Sequence, residues 1–468
     1  MTLNIKHHDI EIPPTSPFLN CKLNRKKYAD VLTTILTSYG DGFVLAIDNP
    51  WGTGKTTFIK MWQQELKNQE IRTIYFNAWE NDFENNSLAA LLSELKTIEN
   101  KKDAFKPLLK KGTILAKNLI PALVKAIASK YIDIKELPNL IENTVKAGTE
   151  ILEDEINIYT SKKEGIKDFK VELSKYVQNG NNGKPLIFFI DELDRCNPNY
   201  AVEVLEQVKH FFSVSGIIFI LSIDKQQLGN SIRGYYGSDQ INADEYLRRF
   251  IDIEYSIPKP DTKEFCTYLY DYYNFDEFFQ ASERIKHNEL REDKSNFITF
   301  SSNLFSDNKL TLRQQEKAFS HARLVMKTFP FNSYVFPSVF LLIIYTKFFK
   351  NGIYVKIQTK ELTNQELINH LESLIGSQAK GSFLHSFSYA IGQFVWMYNN
   401  YLGNFRGNTL YTNESSNNSY TLLVKSNLLT ESERGLLDIF KHLGKERGLD
   451  ISIDYFLKKV DLLENLSA

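Results

Sequence analysis

Apolar and polar positions along the first 260 residues fall into an alternation of two periods. Tyr28, Val31, Leu32 and Ile35 recur at helical spacing, which predicts a helix over Arg25–Ser38. Gly40-Asp41-Gly42 interrupts it, and the continuous apolar run Phe43–Ile47 predicts a strand covered on both faces. A helix over Thr56–Asn68 and a strand over Thr73–Phe76 follow. The loop tract Asn179–Pro185 then leads into the apolar strand Leu186–Ile190, a helix over Tyr200–Phe212 and a strand over Ile217–Leu221. Strand, helix and strand in repetition predict an α/β protein with a parallel sheet. Between about 100 and 165 Lys, Leu, Ile and Ala recur at helical spacing, which predicts a helical insertion between two strands. Residues 1–24 are irregular, broken by Pro13, Pro14 and Pro17. Beyond Pro258 and Pro260 the pattern is mostly helical and aromatic-rich, with a polar loop expected at Asn413–Ser419.

Two apolar stretches raise the question of a membrane. Tyr334–Thr346 is short, contains Pro337 and ends at Lys347, so a buried core helix is expected. Thr113–Ile132 is interrupted by Lys117, Lys125 and Lys130 and fits an amphipathic helix. The N-terminus is polar and lacks a signal-peptide core, so a cytoplasmic protein with no membrane span is expected. At 468 residues two or three structural units are expected. A formal net charge of -1 gives no support for nucleic-acid binding, although a local basic face stays open. Cys21, Cys196 and Cys266 are too far apart for a zinc spacing or a disulfide framework.

The chemistry is concentrated in two places. Asn49-Pro50-Trp51-Gly52-Thr53-Gly54-Lys55-Thr56, with Thr57 next to it, closely matches the phosphate-binding loop G-x-x-x-x-G-K-[ST]. Gly52 and Gly54 permit tight turns that aim backbone N–H groups at phosphate oxygens. Lys55 is expected to reach the terminal phosphates, and Thr56 to coordinate magnesium at the positive end of the following helix. Asn49 stands where the pattern has its first glycine; asparagine tolerates the left-handed region, so an intact turn is expected. The second place is Leu186–Glu192, an apolar strand that ends in two carboxylates. Asp191 is expected to hold magnesium and Glu192 to polarise the attacking water. The strand ending Ser222-Ile223-Asp224 offers Asp224, or Ser222, as a sensor of the terminal phosphate. Arg195, Arg248, Arg249 and Arg313 are candidates to stabilise phosphoryl charge. ATP with Mg2+ is the expected nucleotide.

Several segments together resemble the KAP family of P-loop NTPases. They are Leu23-x-Arg25-x-x-Tyr28-Ala29, the tryptophan-bearing loop Trp51–Thr56, Phe76-Asn77-Ala78-Trp79-Glu80, Asp191-Glu192-Leu193-Asp194-Arg195-Cys196, and Ile223-Asp224-Lys225-x-x-Leu228. Tyr246-Leu247-x-x-Phe250 before Ile257-Pro258, and Leu310-Thr311-Leu312-Arg313-x-x-Glu316, extend it. The resemblance covers roughly residues 20–330. It implies an additional-strand core of the AAA+ and STAND kind. It also implies Glu192 as catalytic acid, Asp224 at a sensor position, Arg313 as a sensor-type arginine in a helical lid, and Trp79 as a wall of the site, unless Trp79 is a core aromatic.

The implied organisation is residues 1–99 and 166–260 as the two halves of the NTPase core and 100–165 as a helical insertion. A lid follows over 261–345 and a C-terminal helical region over 346–468. Many relatives carry membrane helices between the loop and the acidic strand; here 100–165 occupies that place without a span. Bacterial relatives include phage-exclusion and antiviral-defence ATPases, which implies an ATPase within a multi-component system. A homo-oligomer is expected, with Arg248 or Arg249 reaching a neighbouring nucleotide. Two rivals stay open: a nucleotide-gated switch that assembles with partners and hydrolyses little, and a small-molecule kinase.

Overall fold

The computed structural model describes residues 10–39, 42–83, 87–98, 102–119, 150–179, 183–307, 309–374, 381–404, 410–414, 419–426, 433–445 and 451–462. They divide into two compact units, Asp9–Lys259 and Pro260–Ala468.

The first unit is built on a five-stranded sheet. Its strands are β1 (Val44–Asp48), β2 (Thr73–Asn77), β3 (Leu186–Asp191), β4 (Ile217–Ile223) and β5 (Ile253–Tyr255), all parallel, in the order β2-β3-β4-β1-β5. β4 lies between the strand that feeds the loop and the strand that carries the acids, which is the additional-strand arrangement. Side chains alternate between the faces, as a period of two requires. Leu186, Phe188 and Ile190 join one core, with helices Ser87–Leu95, Pro198–His210 and Lys225–Tyr236. Ile187 and Phe189 join the other, where α1 (Lys26–Ser38) and α2 (Lys55–Asn68) place Leu32, Leu36, Phe58 and the fully buried Trp62. Apolar residues on both faces explain why the strands read as continuous runs.

Local chemistry accounts for the differences from the expected boundaries. The helix expected from Tyr200 starts at Pro198, because Asn197 caps it (Oδ1 accepts from the N–H of Asn199, 3.1 Å) and proline suits the first helical position. β4 runs two residues past Leu221. β5 was not legible at all: three residues, Ile-Glu-Tyr, half exposed at the sheet edge, form no apolar run. Helices Lys102–Leu119 and Glu150–Gln178 lie in the place of the expected insertion, the second running on past residue 165. The part of the expected amphipathic stretch beyond Leu119 lies outside the described residues.

Among the described residues the second unit is helical apart from one pair of short strands. The expected loop Asn413–Ser419 is corrected at its ends: Asn413 and Glu414 belong to strand Tyr411–Glu414 and Ser419 to strand Ser419–Leu422, an antiparallel pair with Asn413 opposite Tyr420, while 415–418 lie outside the described residues. Cross-strand pairing, not the polar composition between, fixes this segment. An aromatic cluster of Tyr270, Phe275, Phe279, Phe297 and Phe319 packs its core. Helix Pro337–Phe349 is buried from Val339 to Thr346. Among the described residues no single helix is long and apolar enough to cross a membrane. Pro337–Phe349 with Asn351–Gln358 reaches that length and apolar character only as a pair bent by 117°.

Candidate nucleotide site

The parallel register sets the site. Asn77, Asp191, Ser222 and Ile47 stand side by side across β2, β3, β4 and β1. The carboxyl ends of these strands therefore open on one edge, where a ligand site belongs in an open α/β sheet.

The loop leaves β1 at Asp48 and enters α2 at Lys55. Gly52 (φ 77°) and Gly54 (φ 80°) are both left-handed, a conformation that side chains resist, and no side chain caps α2. The first-turn N–H groups are thus left for an anion. Asn49 is not left-handed, which corrects the reason expected for its presence. Its amide makes two bonds to the backbone of Ile257, Nδ2 donating to the carbonyl and Oδ1 accepting from the N–H, both 2.9 Å. Asn49 therefore ties the loop to the chain leaving β5. Thr53 Oγ1 closes the turn on the Pro50 carbonyl at 2.8 Å.

Lys55 is buried, and its Nζ donates to the carbonyl of Asn49. Burial lowers its pKa, opposed by the charges of Asp194, Asp224, Asp191 and Asp48. Thr56 and Thr57 stand half-buried on the first turn of α2. Behind the loop, buried Arg25 donates to the carbonyls of Gly54 (2.9 Å) and Thr53 (2.7 Å). We expect Arg25→Met to weaken magnesium-ATP binding about tenfold while the fold survives, since it removes two charge-assisted bonds that set the loop carbonyls. Calorimetric titration checks this; unchanged affinity would mean that the loop holds its shape without the clamp.

On the acidic side Asp191 is 1% exposed and forms no ion pair among the described residues. Its oxygens accept from the N–H of Glu192 and from the Tyr75 hydroxyl, each at 3.0 Å. Asp191 therefore needs a compensating cation. Ser222 beside it has a buried hydroxyl with no partner among the described residues. Both observations fit a hydrated divalent cation held by Asp191 and Thr56. Glu192 is left-handed (φ 61°), which costs strain at a non-glycine residue. Partial burial raises its pKa, with Arg195 opposing.

Asp224 lies within electrostatic range of Lys55, and its side chain also caps the following helix, accepting from the N–H of Gln227 at 3.2 Å. Asp194 accepts from the Trp51 indole N–H at 2.5 Å and from the Asp224 N–H at 3.0 Å. Trp79 is 51% exposed, so it is not a core aromatic. Arg248 pairs with Glu245 at 3.0 Å on the surface. Arg249 is exposed with no ion pair among the described residues. Arg313 is exposed at the start of helix Leu312–Met326, in the second unit and not in the one that carries the loop. Arg25, Tyr75 and Asn77 carry no role in the sequence analysis: Arg25 and Asn77 are signalled only by membership of the quoted segments, and Tyr75 only by the strand expected over Thr73–Phe76.

Comparison with known proteins gives the family. An uncharacterized protein of Methanocaldococcus jannaschii is 31% identical over 176 residues, which covers 32% of this chain and 90% of that protein. A structure of the Aeropyrum pernix ORC2 protein in ADPNP-ADP complexes aligns with 90% of this chain and 95% of its own, at a TM-score of 0.35 and 15% identity. The KAP family P-loop domain matches residues 25–320, more than half of the chain. The chain belongs to the KAP family of P-loop NTPases.

Proposed function

We propose that this nucleotide-binding protein is a magnesium-dependent ATPase whose hydrolysis cycle drives a conformational or assembly change. The observation that carries the reading is the row of strand ends that puts Lys55 and the uncapped α2 terminus beside Asp191 and Glu192. Lys55 and the loop N–H groups bind the β- and γ-phosphates. Asp191 and Thr56 would hold magnesium, which supplies charge neutralisation to the phosphates when bound. Glu192 orients the attacking water and takes its proton, and Asp224 reports on the terminal phosphate. Arg249, exposed and without an ion pair among the described residues, supports a homo-oligomer in which it reaches a neighbour's nucleotide. The family resemblance supports a role in a bacterial anti-phage system.

The test is phosphate release from ATP and from GTP, with magnesium and with chelator. ATP-selective, magnesium-dependent release is expected. Tight magnesium-ATP binding without release would replace the ATPase by a nucleotide-gated switch, and release that persists in chelator would remove the magnesium role.

A further inference from the structure

Beside the loop, Arg195 occupies a place that the functions above leave unexplained. It lies three residues after Glu192 on the single 3-10 turn Leu193–Arg195, and three residues make one turn of such a helix. Its Nη1 therefore meets Glu192 Oε1 at 2.9 Å. Its guanidinium stands 5.9 Å from the Trp51 ring centroid and 5.7 Å from that of Trp79. Trp51 belongs to the phosphate loop and Trp79 to the turn after β2. The Trp51 indole is anchored by donating Nε1–H to Asp194, and the backbone that carries Trp79 is held by its N–H donating to Asn77 Oδ1 at 3.2 Å. Both rings are partly exposed (42% and 51%), so a packed core does not account for them.

We propose that Arg195 is the positioning residue for Glu192, held by a tryptophan pair that links the catalytic carboxylate to the phosphate loop. The inference rests on the ATPase reading of Glu192. A carboxylate that must orient one water gains from having one oxygen fixed, because misplacement by about 1 Å costs on the order of 10²-fold in rate. The planar guanidinium suits this role: it stacks against aromatic faces while its edge donates, which an ammonium cannot do. Because Glu192 and Arg195 share one turn, the pair forms wherever that turn forms. It is a fixed support and not a latch that nucleotide must open.

The experiment measures kcat, KM and magnesium-ATP affinity for Arg195→Ala, Arg195→Lys and Trp79→Phe, each also in the Glu192→Gln background. Arg195→Ala is expected to lower kcat about 10²-fold, with ATP affinity within about threefold of wild type. Arg195→Lys should recover part of that loss, and Trp79→Phe, which keeps a ring, should cost little. In the Glu192→Gln background Arg195→Ala should add nothing, since its effect passes through Glu192. Tryptophan emission of the nucleotide-free protein should change in Arg195→Ala and also in Arg195→Lys, whose ammonium can pair with Glu192 but cannot stack on both rings, a readout independent of turnover. An undiminished further loss in the Glu192→Gln background would make Arg195 a phosphate-contacting residue and overturn the inference. So would wild-type turnover of Arg195→Ala beside an inactive Glu192→Gln, with the ATPase reading intact. Wild-type turnover of Glu192→Gln itself would overturn both.

Discussion

Lys55→Ala is expected to bring phosphate release down to background and to weaken magnesium-ATP binding at least about 10²-fold. The size of the effect follows from what surrounds the ammonium. Asp194, Asp224, Asp191 and Asp48 all act on it, and burial already works against its charge. Without Lys55 the pocket presents carboxylates to a polyanion, and the N–H groups of α2 alone must offset them. Nζ also donates to the Asn49 carbonyl, so the side chain holds the loop as well as the phosphate. Arg25, which clamps the same loop from behind, limits the damage to the fold. A urea melt separates loss of the site from loss of the unit, and Lys55→Arg provides a second variant that keeps the charge. Turnover near wild type in Lys55→Ala, with the fold intact, would remove the loop from the chemistry.

The sheet was legible because its strands are covered on both faces and so read as unbroken apolar runs, and because the loop motif is contiguous. What escaped was set by distance along the chain. The amide of Asn49 is explained by Ile257, 208 positions away, and no local pattern encodes that pair. The same holds for Trp51 and Asp194, 143 positions apart, and for Arg25 and the loop. β5 escaped for another reason: an edge strand of three residues gains order from the backbone of β1, not from its own side chains. The strand pair within 411–422 follows the same rule, since its strands flank a tract whose composition reads as loop. In the second unit the burial of Pro337–Phe349 was legible from its composition, whereas the guanidinium of Arg284 was not. That group is fully buried, paired with Asp293 and bound to the carbonyls of Phe331 (3.0 Å) and Ser333 (2.7 Å). A charge in a core is stable only once its partners have been assembled around it.

Glu192→Gln should retain magnesium-ATP affinity within about threefold while the hydrolysis step falls by about 10²- to 10⁴-fold. The substitution keeps volume, and glutamine Oε1 still accepts from Arg195, so the turn that carries residue 192 is preserved. The left-handed backbone of that residue is no harder for glutamine than for glutamate, so strain does not change. What is lost is the basic lone pair and the negative charge that orients water against the terminal phosphate. Single-turnover phosphate release with a parallel binding titration separates these effects. If affinity and turnover fell together, the role of Glu192 would be to support the turn and not to activate water. If turnover were unchanged, the base would have to be another acid of the cluster. Asp194, buried beside Lys55 and held by Trp51, is then the first to replace, ahead of Asp224, whose carboxylate already caps a helix.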